Sequence, residues 1–446
     1  MPGRDAEQRS VAMPQAAFEA TVADVDQTPF RWLTTLATIG SLSGARFAAP
    51  LLRLAVPVWI SRVLGVEGLG DYQLVMSYYA IYGAVTTLGL WDFVVREMAA
   101  GRQRAGKLLV HAYVLSIVAA VPATLAMGLT SLSYGEQTRG ALLIMSAAVC
   151  PAAISLYADG ALLAFERGRY VAALMLGEEA LLTAVACGVL WLGGGLNAVV
   201  AAVVAVRTAA AVLRVAITAR LTGGLPLGLD PSLVREMLRQ VPVFFGATVL
   251  STVFTRLDLV MLSWLGTATQ VGLYAAALRF VNMCQEVPAA ALMTLFPRLA
   301  ALHVESRAAF RRVFTTSATY LALFALATSI AGTLAGPTVL RTLFGSKFDE
   351  SIPILQLLIW CLLPFSLMKL LGSSLIATHN QVADLVINAV LLVVHATLMV
   401  LLIPPHGPLG AAAATLVTMT LAVLMRGRFL LQRMKLGAAR ARMRAA

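Results

Sequence analysis

Charged side chains recur inside long apolar segments of this sequence, where they could bind an anion. Arg46 and Arg53 are seven residues apart, and Arg207 and Arg214 repeat that spacing. On a helix, seven residues are about two turns, so each pair lies on one face. Guanidinium groups stay charged and bind phosphate through paired hydrogen bonds. The candidate substrate-binding residues are Arg46, Arg53, Arg207, Arg214, Arg279 and Lys369.

Acidic residues in the same segments are candidates for coupling to an ion gradient. A carboxyl group inside a membrane is costly to keep charged and is a functional candidate by default. These residues are Asp92, Asp159, Asp258, Glu286 and Asp384. The alternative is that acids and bases pair with each other, for example Glu286 with Arg279, because seven of each lie in the apolar segments.

Composition excludes an ordinary soluble protein. Of 446 residues, 59% are hydrophobic and only 13% are charged, against roughly 25% charged in soluble domains. The formal charge of +12 is spread over short clusters between apolar runs, which argues against a nucleic-acid partner. The four cysteines stand alone and suggest neither a metal site nor a disulfide. We expect no cofactor, and no signal peptide is evident in the polar residues 1–31.

The apolar runs predict an all-α membrane protein with twelve transmembrane helices, since a span needs about 20 apolar residues. A cytoplasmic N-terminus then places 23 Lys and Arg residues on the inside and 4 outside. This bias predicts a multi-pass protein of a bacterial inner membrane with both termini in the cytoplasm. The predicted spans are 34–60, 72–95, 108–130, 139–164, 170–192, 197–219, 241–264, 272–297, 315–337, 352–378, 383–403 and 408–430.

Short matches between the two halves indicate an internal repeat. Gly70-Asp71-Tyr72 is similar to Gly272-Leu273-Tyr274, and Leu163-Ala164 to Ile376-Ala377. Six helices per copy predict two bundles related by a pseudo-two-fold axis along the membrane normal. The predicted regions are a tail at 1–33, a first bundle at 34–221, a linker at 222–240 with a short surface helix from Pro231 to Gln240, a second bundle at 241–432 and a basic tail at 433–446.

Several motifs resemble one membrane protein family over residues 34 to 430. They are Ile60 to Tyr72 (ISRVLGVEGLGDY), Leu88-Gly-Leu90, Arg96-Glu97, Arg256-Leu-Asp258, Gly272-Leu-Tyr274, Phe296-Pro-Arg298, Leu343-Phe-Gly345, Ile403-Pro404 and Gly410-Ala-Ala412. Their order is similar to that of the Wzx-type polysaccharide biosynthesis flippases, in the superfamily that also holds lipid II flippases and multidrug exporters. The two further helices typical of lipid II flippases are not found in this sequence.

The resemblance implies a non-enzymatic flippase with a central cavity between two bundles. Its cargo would be an undecaprenyl-pyrophosphate-linked oligosaccharide for a surface polymer such as O-antigen, lipopolysaccharide or exopolysaccharide. Membrane lipids, and a polysaccharide polymerase or export complex, are the implied partners. Two alternatives stay open: a multidrug or toxin cation antiporter of the same superfamily, and a membrane-embedded polymerase or ligase. No Walker motif GxxxxGK[ST] is present, so the drive is expected from an ion gradient or the membrane potential.

Overall fold

The computed structural model describes residues 52–101, 104–226, 228–378 and 380–445. Arg46, the predicted N-terminal tail and most of the first predicted span lie outside the described residues. The helices of the first half are α1 (52–63), α2 (Gly65–Thr86), α3 (Trp91–Ala100), α4 (Ala105–Ser131), α5 (Glu136–Ser146), α6 (Val149–Ala164), α7 (Gly168–Trp191) and α8 (Leu196–Leu221).

The second half repeats this arrangement with longer helices. They are α9 (Pro231–Leu265), α10 (Ala268–Glu305), α11 (Arg307–Phe344), α12 (Ser351–Leu358), α13 (Leu362–Ala377) and α14 (Gln381–Ala445), with short 3-10 turns at Ser346–Phe348 and Ile359–Cys361. Tight turns reverse the chain between successive spans. We call the end with the turns at 64, 132–135, 192–195, 266–267 and 345–350 the short-loop end, and the other the basic end.

The helices account for twelve membrane crossings. Among the described residues, eight helices are long and apolar enough to cross, or nine when the bent pair α2 and α3 counts as one span. Helix α14 contributes two crossings, because His395 and Thr418 lie 3.1 Å apart between Nδ1 and Oγ1 although a straight helix would separate them by about 35 Å. The remaining two crossings are α10, which carries a polar stripe, and α1, which is described from residue 52.

The second span differs from its prediction at both ends. Its helix starts at Gly65 instead of residue 72, so the glycine cluster at 65–70 is helical and not a loop. The chain then breaks at Thr87–Leu90, where Leu88 and Gly89 have positive φ, and α3 continues at an angle of 48° to α2. Glycine at position 89 lets the main chain approach that of Phe244 and Phe245 in the second half.

The predicted surface helix of the linker is the first part of α9. Pro231 occupies the first turn, and the Asp230 side chain caps the helix by accepting a 2.9 Å hydrogen bond from the Ser232 amide. Hydrogen bonds from Ser232 hold the pKa of the Asp230 carboxyl below its usual value. The apolar side of this segment packs on the first half, with Met237 fully buried. Residues 231–240 are therefore continuous with the span that follows, whose apolar part starts at Phe244.

The two halves meet along one seam, where α2 packs against α9 and α10. At the short-loop end, Gly70 and Gly272 face each other, and a side chain on either would overlap the main chain of the opposite helix. These glycines are partners in the sequence repeat. Beside them, Thr269 donates to Glu67 over 2.9 Å and the Trp264 indole donates to Tyr78 over 3.1 Å.

Candidate functional site

Four arginines on four helices lie at a similar distance from the short-loop end. Each is 9 to 11 residues from the short-loop end of its helix, which corresponds to about 14–17 Å. That depth is half of a hydrocarbon core of about 30 Å. We call these arginines, with the two carboxylates near them, the midplane cluster: Arg53, Arg207, Arg256, Arg279, Glu178 and Glu179.

Arg53 and Arg279 join the two halves inside this cluster. The Arg53 Nε donates to Glu179 Oε1 over 2.7 Å, and its side chain remains 44% exposed. From α10, the Arg279 Nη2 donates to the main-chain oxygen of Arg53 over 2.9 Å. The Arg279 Nε is buried and has no hydrogen-bond partner in the described structure. Both guanidinium groups therefore keep hydrogen-bonding capacity for a ligand.

Arg207 forms a longer ion pair than the other buried arginines do. Its Nη1 lies 3.3 Å from Glu178 Oε1, and its guanidinium lies over the Tyr79 ring at 5.2 Å from the centroid. The Nε atom has no partner among the described residues. Cation–π contact and one long ion pair leave this guanidinium able to bind an additional anion.

Arg214 has a different role from its neighbour Arg207. Its side chain is 3% exposed, and it lies 2.9 Å from Asp159 Oδ1 and 2.7 Å from Glu178 Oε2. These contacts use three helices of the first half, α6, α7 and α8. The geometry is that of a helix-packing ion pair, with no free face toward the centre.

The midplane cluster carries an excess of positive charge. Arg256 has no ion-pair partner among the described residues, and the guanidinium of Arg279 lies within its electrostatic reach. Together with Arg214, the five arginines face three carboxylates, Asp159, Glu178 and Glu179. The excess is two charges, or one when Asp258, close to Arg256, is included. Uncompensated charge at this depth is expensive, which favours an anionic ligand.

Asp258 forms a separate buried network with His395. The Asp258 carboxylate accepts from Tyr274 over 2.7 Å and from Thr415 over 3.3 Å, and lies 3.4 Å from His395 Nε2. The His395 side chain is 1% exposed. Asp258 and Arg256 do not pair directly, as their spacing of two residues predicts. No hydrogen bond among the described residues links this network to the midplane cluster.

A third charged group lies in the second half toward the basic end. The Arg426 Nε donates to Asp384 Oδ1 over 2.7 Å, and its Nη2 donates to Asn388 Oδ1 over 2.7 Å. Lys369 lies near this pair, with Nζ 5.6 Å from the Phe365 centroid. In the sequence, Arg426 stands next to the basic C-terminal residues. Its position along the chain therefore does not indicate that it has a buried partner.

Two sequence candidates stand apart from these groups. Asp92 lies in the first turn of α3 and is exposed, and Glu286 is exposed on α10. Neither has an ion pair among the described residues, so the alternative pairing of Glu286 with Arg279 is not observed. The residues of these groups that were not among the substrate-binding or ion-coupling candidates include Arg256, Glu178, Glu179, Arg426 and His395, as well as Tyr79. Arg256 could have been found, because it lies in a span near the depth of Arg279.

A family model described as "Polysaccharide biosynthesis protein" matches residues 35–303. No curated protein matches this sequence.

Solved structures share the fold at low sequence identity. A lipid II flippase MurJ in an inward closed conformation aligns with TM-score 0.73 and 13% identity, covering 86% of this chain and 86% of its own. A multidrug resistance MATE family transporter of the MOP superfamily, in an inward-facing conformation, aligns with TM-score 0.67 and 16% identity, covering 89% and 98%. A MOP superfamily transporter from Pyrococcus furiosus aligns with TM-score 0.64 and 15% identity, covering 90% and 96%. The twelve-helix, two-bundle fold is therefore confirmed.

Proposed function

Because the chain belongs to the polysaccharide biosynthesis protein family, we propose that it is a flippase for polyprenyl-diphosphate-linked oligosaccharides. The coarser conclusion, a multi-pass membrane protein of a transporter fold, follows from the fold and the family. The observation that carries the finer proposal is the midplane cluster. It offers unsatisfied guanidinium groups to an anion at the depth where a transporter site is expected.

A diphosphate matches the chemistry of this cluster. Its two phosphoryl groups carry the negative charge that the excess arginines lack, and guanidinium groups bind phosphate oxygens in pairs. Arg53 and Arg279 come from different halves, and Arg279 contacts the Arg53 main chain. We propose Arg53, Arg207, Arg256 and Arg279 as the diphosphate-binding residues. Arg214 is left out because Asp159 and Glu178 satisfy it.

The transport mechanism that we propose is alternating access. The halves are in contact at the short-loop end through Gly70 and Gly272, and toward the basic end, where Gly89 lies against Phe244 and Phe245. Alternating access would require these two contacts to separate in turn. Lysine and arginine bias supports a cytoplasmic basic end in a bacterial inner membrane, with both termini inside. The saccharide would enter the cavity while the polyprenyl tail stays in the bilayer. Rocking of the halves about the midplane cluster would then expose the saccharide at the short-loop end.

Asp258 is the proposed coupling residue. It is buried with His395, and the hydrogen bonds from Tyr274 and Thr415 fix its carboxylate. Protonation of His395 would strengthen its attraction to Asp258, and deprotonation would weaken it. Because Asp258 lies two residues from Arg256 on α9, a change in this network can reach the midplane cluster through one helix.

The alternatives are less well supported. A cation antiporter needs an excess of buried acid, whereas the midplane cluster has an excess of base. A polymerase needs room to hold donor and acceptor outside the membrane, whereas the turns of the short-loop end are brief among the described residues. Asp258 is the residue on which a cation site of an antiporter would have to be built.

Reconstitution tests the flippase proposal. Purified protein in liposomes should move a fluorescent short-chain polyprenyl-diphosphate oligosaccharide between leaflets, measured by quenching with a membrane-impermeant reductant. A gene deletion should leave the lipid-linked saccharide on the cytoplasmic leaflet. No movement of the probe, together with normal delivery in the deletion strain, would overturn the proposal. Transport of organic cations without transport of the probe would favour the antiporter.

A further inference from the structure

Lys369 and Arg426 carry a positive charge that the proposed diphosphate site does not use. Lys369 lies 18 residues after Ser351, where its span starts. Arg426 lies 18 residues after Pro408, which follows the non-helical Gly407 that divides α14 into its two spans. This distance is about 27 Å along a helix, so the pair lies about 10–13 Å closer to the basic end than the midplane cluster. The two sites are therefore separate along the axis of transport.

The hydrogen bonds around Arg426 leave one donor unsatisfied. The Arg426 side chain is 5% exposed, and two of its nitrogens donate to Asp384 and Asn388. Its Nη1 is buried without a partner in the described structure. Asp384 is the carboxylate that faces both cations, since Lys369 has no ion pair of its own among the described residues. One positive charge and one buried donor thus remain open.

Lys369 is exposed although its helix packs against three others. Helix α13 packs against α10, α11 and α14, yet the Lys369 side chain is exposed. The charges of Arg426 and Asp384 on α14 act on Lys369, so its side chain lies on the side of α13 toward α14. By its distance from the short-loop end, Lys369 lies near the basic edge of a hydrocarbon core of about 30 Å, where water and anions can reach its ammonium group. Phe365, whose ring lies below Nζ, provides an apolar wall beside it.

We propose that Lys369 and Arg426 form a second anion-binding site, which takes an acidic group on the saccharide of the cargo. The proposal rests on the flippase function and narrows the substrate class to oligosaccharides that carry a carboxylate. The diphosphate at the midplane cluster would place the attached sugars toward the basic end, where this second site lies. Ammonium and guanidinium groups bind a carboxylate through charge-assisted hydrogen bonds.

Binding of two matched probes tests this site. One probe is a short-chain polyprenyl diphosphate with a disaccharide that ends in a hexuronic acid, and the other ends in the neutral hexose. Wild-type protein in nanodiscs should bind the acidic probe about tenfold more tightly, as one charge-assisted hydrogen bond allows. Lys369→Met should remove this preference without changing the Kd of the neutral probe. Lys369→Arg should retain it, and Lys347→Met, on the short-loop end, should behave as wild type.

Each other outcome contradicts the proposal in a distinct way. Equal binding of both probes by the wild type would rule out the acidic saccharide, while the flippase function would stand. An equal loss of affinity for both probes in Lys369→Met would mean that Lys369 binds the diphosphate or stabilises the fold. A thermal unfolding curve of the variant distinguishes these two roles. Failure of the wild type to bind either probe would overturn the flippase proposal itself, and this site with it.

Discussion

Arg279 in the second half donates a 2.9 Å hydrogen bond to the main-chain oxygen of Arg53 in the first half. This bond places the Arg279 guanidinium against the main chain of Arg53, where the Arg53 charge acts on it, while the carboxylate of Glu179 forms an ion pair with Arg53 alone. Like charges at bilayer depth repel each other unless an anion compensates them. The contact therefore connects the closure of the seam with the occupancy of the proposed diphosphate site.

Replacing Arg279 with alanine should reduce transport of the diphosphate probe by at least tenfold, because a charge-assisted pair of hydrogen bonds is lost. Arg279→Lys should recover only part of this loss, since an ammonium group cannot bind two phosphate oxygens in the same planar geometry. Arg341→Ala is the control, because Arg341 pairs with exposed Asp349 at the short-loop end. Initial rates in liposomes measure the effect, and a wild-type rate for Arg279→Ala would remove it from the site.

Replacing Arg214 should affect stability more than binding. Arg214→Leu leaves Asp159 buried without its partner, which costs about 3–5 kcal/mol for a buried charge. The double variant Arg214→Leu/Asp159→Leu should regain much of this loss, because an apolar pair avoids the uncompensated charge. Thermal unfolding in detergent compares the two variants. A double variant no more stable than the single one would show that Arg214 contributes through Glu178 instead.

The membrane fold could be predicted from the sequence because lipid imposes strong rules. Apolar length and the distribution of Lys and Arg predict twelve spans, and α4 and α7 match their predicted bounds within three residues. Predictions failed at glycines, because glycine occurs both in loops and at close contacts between helices. The glycines at 65–70 were interpreted as a loop, but Gly70 belongs to a helix that needs close contact with Gly272.

The sequence predicts that charged residues lie in the spans, but it does not predict which of them pair with each other. Sequence spacing places Arg207 and Arg214 on one face, yet Arg214 is paired on both sides while Arg207 retains a free nitrogen. The difference depends on carboxylates from α6 and α7, which are 29 to 55 residues away in the sequence. Asp384 and His395 form one stripe by spacing, but they bind separate partners on the returning arm of α14. Partner choice depends on tertiary packing, which spacing does not encode.

Asp258→Asn should separate substrate binding from energy coupling. The amide keeps the size of the side chain and can still bind Tyr274, but it cannot hold a charge opposite His395. We expect the Kd of the diphosphate probe to stay within about twofold, a change under 0.5 kcal/mol. The acceleration of transport by an imposed proton gradient should disappear. Asp349→Asn, at the exposed loop, is the control, and a retained gradient response in Asp258→Asn would exclude this carboxylate from coupling.

A side chain at Gly272 should separate the halves at the short-loop end. The Cβ atom of Gly272→Ala would overlap the main-chain carbonyl of Val66, so α2 and α10 must move apart. The matched control is Gly83→Ala in α2, the other helix of this contact, where a Cβ meets no atom within 4 Å. A single cysteine at position 263, in a variant without the native cysteines, should react faster with an impermeant maleimide in Gly272→Ala than in Gly83→Ala. Equal labelling rates would show that the seam accommodates the methyl group without opening.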